Sequence, residues 1–180
     1  MRFLSLTHLL QVVSSIARPD EIVVLGSSAL LTIDPTLGEP GQPLELSYDA
    51  DLLLKPIDQA LAEVLAEAVG ENSLFAGRHS YYAHFLAPAI TETLPSGWDQ
   101  RLGPVPDFRN VHALNPYDLA LVKLTLGRPK DLELLRALLT RNLLHLDRLR
   151  EHYQATPLSE ADAAKIGRNI RALLATDQKD

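Results

Sequence analysis

The sequence predicts an α/β fold with a C-terminal helical subdomain, and three observations predict it. Short apolar runs with strand character, Ile22–Leu25 and Tyr48–Leu54, frame a glycine-serine turn and a proline-rich loop. Segments with apolar residues every three or four positions flank these runs. From Asn115 onward, helical patterning is all that remains. The chain therefore divides into 1–114, an α/β core, and 115–180, a helical part expected to pack on that core as one compact unit.

In chain order, Leu6, Leu9, Leu10, Val13 and Ile16 form one stripe of a helix over Ser5–Ala17, and Arg18-Pro19-Asp20 ends it. Ile22–Leu25 is the first strand. Gly26-Ser27-Ser28 turns the chain into a short helix through Leu31. Three prolines and two glycines in 33–43 read as an inserted surface loop without helix or strand. Tyr48–Leu54 is the second strand, expected at a sheet edge. Asp58–Val69 is a helix with Ala60, Leu61, Val64, Leu65 and Ala68 inward, stopped by Gly70. Tyr81–Leu86 is a third strand, in which His84 reads as packed and hydrogen-bonded, and Val105–Ala113 holds a last edge strand.

Asn115-Pro116 starts the next helix, carrying Leu119, Val122, Lys123 and Leu126, and Gly127 breaks it. Arg128-Pro129-Lys130-Asp131 opens another. Two leucine-rich amphipathic segments hinge near Thr140-Arg141-Asn142, and a final helix begins at a Ser159/Asp162 capping box.

Composition narrows the function classes. With no cysteine, disulfides, thiolate metal sites and cysteine nucleophiles are excluded. No apolar run approaches the roughly 18 residues of a membrane span, so a cytoplasmic protein with no membrane partner is expected. The net charge of −6 argues against coating nucleic acid by bulk attraction. Its distribution is uneven: residues 1–122 carry 6 Lys and Arg against 15 Asp and Glu, whereas 123–151 carry 7 against 4. That basic segment is either the solvated face of helices or a surface for phosphates.

Asp49 and Asp51 lie two residues apart, so on an extended chain both carboxylates leave one face. Two such charges repel unless a cation sits between them or one takes a proton. Mg²⁺ or Mn²⁺ suits them, since hard cations take carboxylate, phosphate and water oxygens. Backbone N–H groups at the Gly26-Ser27 turn can donate to phosphate oxygens.

A Gly26-Ser27 turn followed by Asp49 and Asp51 in the next strand resembles the nucleotidyltransferase superfamily, although about twenty residues separate Ser27 from Asp49, more than is usual there. The resemblance implies a mixed sheet flanked by helices. Many members carry a third carboxylate on the strand that here holds His84. Pro95-x-Gly97-Trp98-x-x-Arg101 resembles a segment of small bacterial nucleotidyltransferases related to the AbiEii-type toxins, and the run from Asn115 to Leu132 resembles their lysine-then-Arg-x-x-Asp signature.

That resemblance covers about residues 20–140. It implies that Gly26, Ser27, Lys123 and Arg128 bind the nucleotide, that Asp49 and Asp51 hold the metal and catalyse, and that Asp131 takes part in catalysis as a base. The implied activity is transfer of a nucleotidyl group from a Mg-bound nucleoside triphosphate to an acceptor such as tRNA or another RNA, by a toxin paired with an antitoxin protein. Two alternatives stand beside it: a catalytically weak nucleotide-binding or interaction protein, and transfer to a small molecule such as an antibiotic, to which an acidic N-terminal part is better suited than to RNA.

Overall fold

The computed structural model describes residues 1–56 and 59–174. It is a mixed five-stranded sheet with helices, an α/β fold consistent with the nucleotidyltransferase-like architecture. The chain forms two compact units. One comprises Met1–Glu92 and Arg101–Asn115; the other comprises Thr93–Gln100 and the chain from Pro116 on. The tryptophan turn, placed in the first region by the sequence division, therefore clusters with the helices.

In the α/β unit, α1 (Phe3–Ala17) buries Leu6, Leu9, Leu10 and Val13, while Ile16, in its last turn, is 45% exposed. It leads into β1 (Glu21–Leu25). The remaining strands are β2 (Asp49–Lys55), β3 (Tyr82–Phe85), β4 (Gly103–Pro104) and β5 (Val111–Ala113), in the order β3-β2-β1-β5-β4. β1 runs antiparallel to β2 and parallel to β5, and β2 runs parallel to β3.

Two edge expectations are thereby corrected. β2 is an interior strand, and so is β5; the edge beyond β5 is the two-residue β4, where Pro104 suits a position with a ladder bond missing. The alternation of β2 explains its interior place: Ala50, Leu52 and Leu54 are buried on one face, and Leu53 is buried beside Asp51 on the other.

The segment after Gly26 is a 3₁₀ helix, Ser27–Thr32, with Ser28, Ala29, Leu30 and Leu31 buried. The proline-rich stretch differs from the expected loop, for Pro35–Gly38 forms a second 3₁₀ turn. The Asp34 carboxylate accepts from the Thr36 N–H at 2.9 Å, Pro35 fills the first position, and Leu37 is fully buried. An apolar anchor at Leu37, reinforced by the Leu44 N–H donating to the Leu37 carbonyl, holds this stretch to the body of the unit.

Helix α2 (Gln59–Val69) buries only Leu65 and Val69; Val64 is 55% exposed, and Ala60 is exposed as well, contrary to the expected stripe. The expected start at Asp58 lies outside the described residues. A short helix, α3 (Leu74–His79), follows under a Ser73 cap whose Oγ accepts from the Ala76 N–H. No periodic signal announces it, because none of its residues is buried.

The helical unit contains α4 (Pro116–Leu126), α5 (Pro129–Thr140), α6 (Leu146–Ala155) and α7 (Glu160–Leu174). α4 packs against the other three, so its sides are almost all covered: Asp118, Leu119, Ala120, Leu121, Lys123 and Leu124 are buried, and Leu126 is exposed. Gly127 turns the chain at φ +62°, where a Cβ would strike the Asn169 amide that donates to the Leu124 carbonyl at 2.7 Å. The Ser159 Oγ accepts from the Asp162 N–H at 3.1 Å, as the capping box predicts. Among the described residues, no helix is long and apolar enough to cross a membrane.

Candidate active site

Strand register builds the acidic face. Leu25 pairs with Asp51 across the antiparallel β1–β2 ladder, so the residue after Leu25, Gly26, arrives beside Asp51. The approach is close enough that a Cβ on Gly26 would lie 2.1 Å from Asp51 Oδ2, and Gly26 also sits at φ +59°. Only glycine meets both requirements without displacing the carboxylate. Ser27 is half-buried next to it, and Ser28 turns inward to donate to the Leu25 carbonyl at 3.3 Å.

From the other side, the parallel β2–β3 ladder sets Asp49 beside Tyr82 and Asp51 beside His84. His84 Nδ1 lies 3.0 Å from Asp51 Oδ1, with the His84 side chain 61% exposed and that of Asp51 28%. The expectation that His84 packs inward is therefore wrong, though its hydrogen bond is real. Its signal in the sequence was position, since it is the polar side chain in the middle of β3. The Tyr82 hydroxyl is held above its usual pKa, first by burial and then by the negative charges of Glu71, Asp49 and Asp51.

A cavity of about 520 Å³ opens beside this face, between α2 and β3, with Asp49, Tyr82 and His84 in its wall. Asp49 and Asp51 thus stand half-buried on one face of the sheet, with backbone at Gly26 on one side and a cavity on the other.

In the helical unit, Lys123 and Arg128 meet Asp131. Lys123 Nζ donates to Asp131 Oδ1 at 3.0 Å, and Arg128 donates from Nε to Oδ2 at 2.5 Å and from Nη2 to Oδ1 at 3.2 Å. The side chain of Asp131 is 1% exposed and that of Lys123 8%, while that of Arg128 is 52% exposed. The sequence arranges this locally: Gly127 ends α4, Pro129 takes the first position of α5, and Asp131 falls in its first turn, where the helix dipole favours a carboxylate.

Burial alone would raise the Asp131 pKa. Hydrogen bonds from Arg128 and Lys123, and their charges, outweigh burial and hold it below the ordinary carboxylate value. Asp131 is accordingly an anion that fixes two cations, which makes it a weak proton acceptor. A second pair goes unnoticed in the sequence: His152 Nε2 lies 2.7 Å from Asp118 Oδ1, joining α6 to the fully buried Asp118 of α4.

Comparison of the chain with curated proteins and with solved structures matched none. A protein family does match, over residues 1–172, and its description is "Nucleotidyltransferase of unknown function (DUF6036)". The match spans both the carboxylate strand and the Lys123–Arg128–Asp131 cluster, and the chain belongs to this nucleotidyltransferase family.

Proposed function

We propose that this chain transfers a nucleotidyl group from a magnesium-bound nucleoside triphosphate to an acceptor, with Asp49 and Asp51 holding the metal. The observation that carries this reading is the meeting of Asp51 with Gly26, which leaves bare backbone against a carboxylate on the face shared with Asp49. Two aspartates are hard oxygen donors and fit Mg²⁺ or Mn²⁺, which commonly take one or two carboxylates and complete their shell with phosphate and water. Among the described residues, no group of three or more His, Cys, Asp and Glu side chains is arranged to hold a metal. Two carboxylates leave positions for phosphate and water oxygens, which suits a cation that arrives with its triphosphate.

When bound, the metal supplies neutralisation of the charge developing on the transferred phosphoryl group. Asp49 and Asp51 supply its anchorage, and Gly26 and Ser27 supply N–H groups for phosphate oxygens. In the transfer, an acceptor oxygen forms a bond to the α-phosphorus, the bond from that phosphorus to the bridging oxygen breaks, and pyrophosphate leaves with the electron pair. Lys123 and Arg128 are assigned to triphosphate binding, and Asp131 to catalysis by holding these two cations in position.

The AbiEii-type resemblance offers an RNA acceptor such as tRNA, with an antitoxin partner, as one reading of the acceptor. Its support is the basic segment, residues 123–151, with 7 Lys and Arg against 4 Asp and Glu. A small-molecule acceptor is the second reading, favoured by the acidic cavity beside Asp49.

The test is incubation of the chain with Mg²⁺ and each labelled triphosphate in turn, with and without total tRNA. Mg-dependent label transfer that disappears in Asp49→Ala is the expected result. Triphosphate binding with no transfer under any condition would leave a nucleotide-binding protein in place of an enzyme.

A further inference from the structure

The cavity beside Asp49 exists because one face of α2 is bare. Ala62, Ala66 and, just past the helix, Gly70 follow at intervals of four, so no long side chain reaches across to β3. The resulting space of about 520 Å³ lies within the range of small-molecule sites, roughly 300–1,000 Å³. Polar groups converge on it from separate elements: Gln59 and Glu63 from α2, Glu71 and Asn72 from the turn after α2, Tyr82 from β3 and Asp49 from β2.

Charge selects the ligand. Among the described residues the lining includes three carboxylates, Asp49, Glu63 and Glu71, and one histidine, His84, with no lysine or arginine. A triphosphate or an RNA backbone entering here would meet the like charge of three carboxylates, whereas an ammonium group would form charge-assisted hydrogen bonds with them. Gln59, Asn72 and Tyr82 add the neutral donors and acceptors that hydroxyl groups require.

We propose that this cavity is the acceptor pocket, and that the acceptor is a small polar molecule bearing amines and at least one hydroxyl, held by Glu63 and Glu71 with that hydroxyl toward Asp49. The proposal rests on the nucleotidyl-transfer reading of Asp49 and Asp51. The acceptor hydroxyl oxygen bonds to the α-phosphorus of the triphosphate, its proton passes to water, and pyrophosphate departs. RNA, by its charge, is the wrong occupant for this pocket.

The probe is neamine, a two-ring amino alcohol, with the uncharged disaccharide maltose as control, titrated calorimetrically into the full chain with and without Mg-triphosphate. Neamine should bind at least about tenfold more tightly than maltose. Glu63→Gln with Glu71→Gln should weaken neamine by about tenfold or more while leaving Mg-triphosphate affinity unchanged. Ala66→Leu, which keeps every charge but fills the cavity, should weaken neamine as well. Neamine binding that ignores Ala66→Leu would reflect bulk attraction to an acidic protein and would overturn the proposal, as would a loss of triphosphate affinity in the Glu63/Glu71 variant. Efficient transfer to RNA that neamine does not inhibit would overturn the pocket and leave the transfer reading standing. Cavity-dependent neamine binding with no transfer to any acceptor would support the pocket and count against the transfer reading.

Discussion

Asp51 in the α/β unit and Asp131 in the helical unit each lie 3.0 Å from a basic nitrogen, yet their surroundings give them opposite tasks. Asp131 is 1% exposed and shared by the Lys123 ammonium and the Arg128 guanidinium, so its charge is balanced within the fold. Asp51 is 28% exposed, faces the imidazole of a largely exposed histidine, and has the like charge of Asp49 two residues away on the same face. The first arrangement holds structure in place. The second is a concentration of negative charge that favours an incoming cation, and the contrast separates a positioning carboxylate from ligand-binding ones.

The sharpest way to break this contrast is to remove each carboxylate in turn and measure stability. Asp131→Ala leaves the Lys123 ammonium buried without its counter-ion, so chemical denaturation should show a loss of about 3–5 kcal/mol. Asp49→Ala and Asp51→Ala should change stability by less than about 1 kcal/mol, since they relieve repulsion at a half-exposed site, while turnover falls by about a hundredfold or more. A large loss of stability in Asp49→Ala, with turnover retained, would erase the distinction.

Gly26 tests the acidic face by geometry. Gly26→Ala must hold a Cβ at φ +59° and displace Asp51 Oδ2, so it should lose about 1–2 kcal/mol of stability and most of the turnover. Denaturation and label transfer read the two effects separately. Retained turnover would show that Asp51 need not stand against the turn.

Acid titration sharpens the comparison further. Because the folded Asp131 pKa is depressed, its contribution to stability is present above the ordinary carboxylate value and is lost as pH falls through the lower folded one. Denaturation midpoints should therefore drop below about pH 4, and the drop should shrink in Asp131→Asn. The smallest effect belongs to Arg128→Ala: with that side chain 52% exposed, its pair with Asp131 is screened by solvent, and a loss of about 1 kcal/mol or less is expected from denaturation.

Local chemistry is what the sequence determined by itself. The apolar run before Gly26, the Asp49-x-Asp51 alternation, the Asn115-Pro116 start and the Ser159/Asp162 cap are decided within a few residues by propensity, capping and side-chain period, and each formed where those rules place it. The 3₁₀ turn at Pro35–Gly38 was missed even at this range, because composition speaks for a loop while the burial of Leu37 depends on what covers it.

Tertiary structure alone decided the rest. His84 and Asp51 meet across 33 residues only because β2 and β3 pair in parallel in this register; one residue of slip would send their side chains to opposite faces. Val64, read as inward, is exposed, and α4 is buried nearly all round because the other three helices of its unit pack against it. The cavity beside Asp49 likewise depends on which element the bare alanine face of α2 is set against. Periodicity fixes which residues share a face, but which faces meet is settled by long-range packing, and that is where the acidic pair acquired its histidine and its cavity.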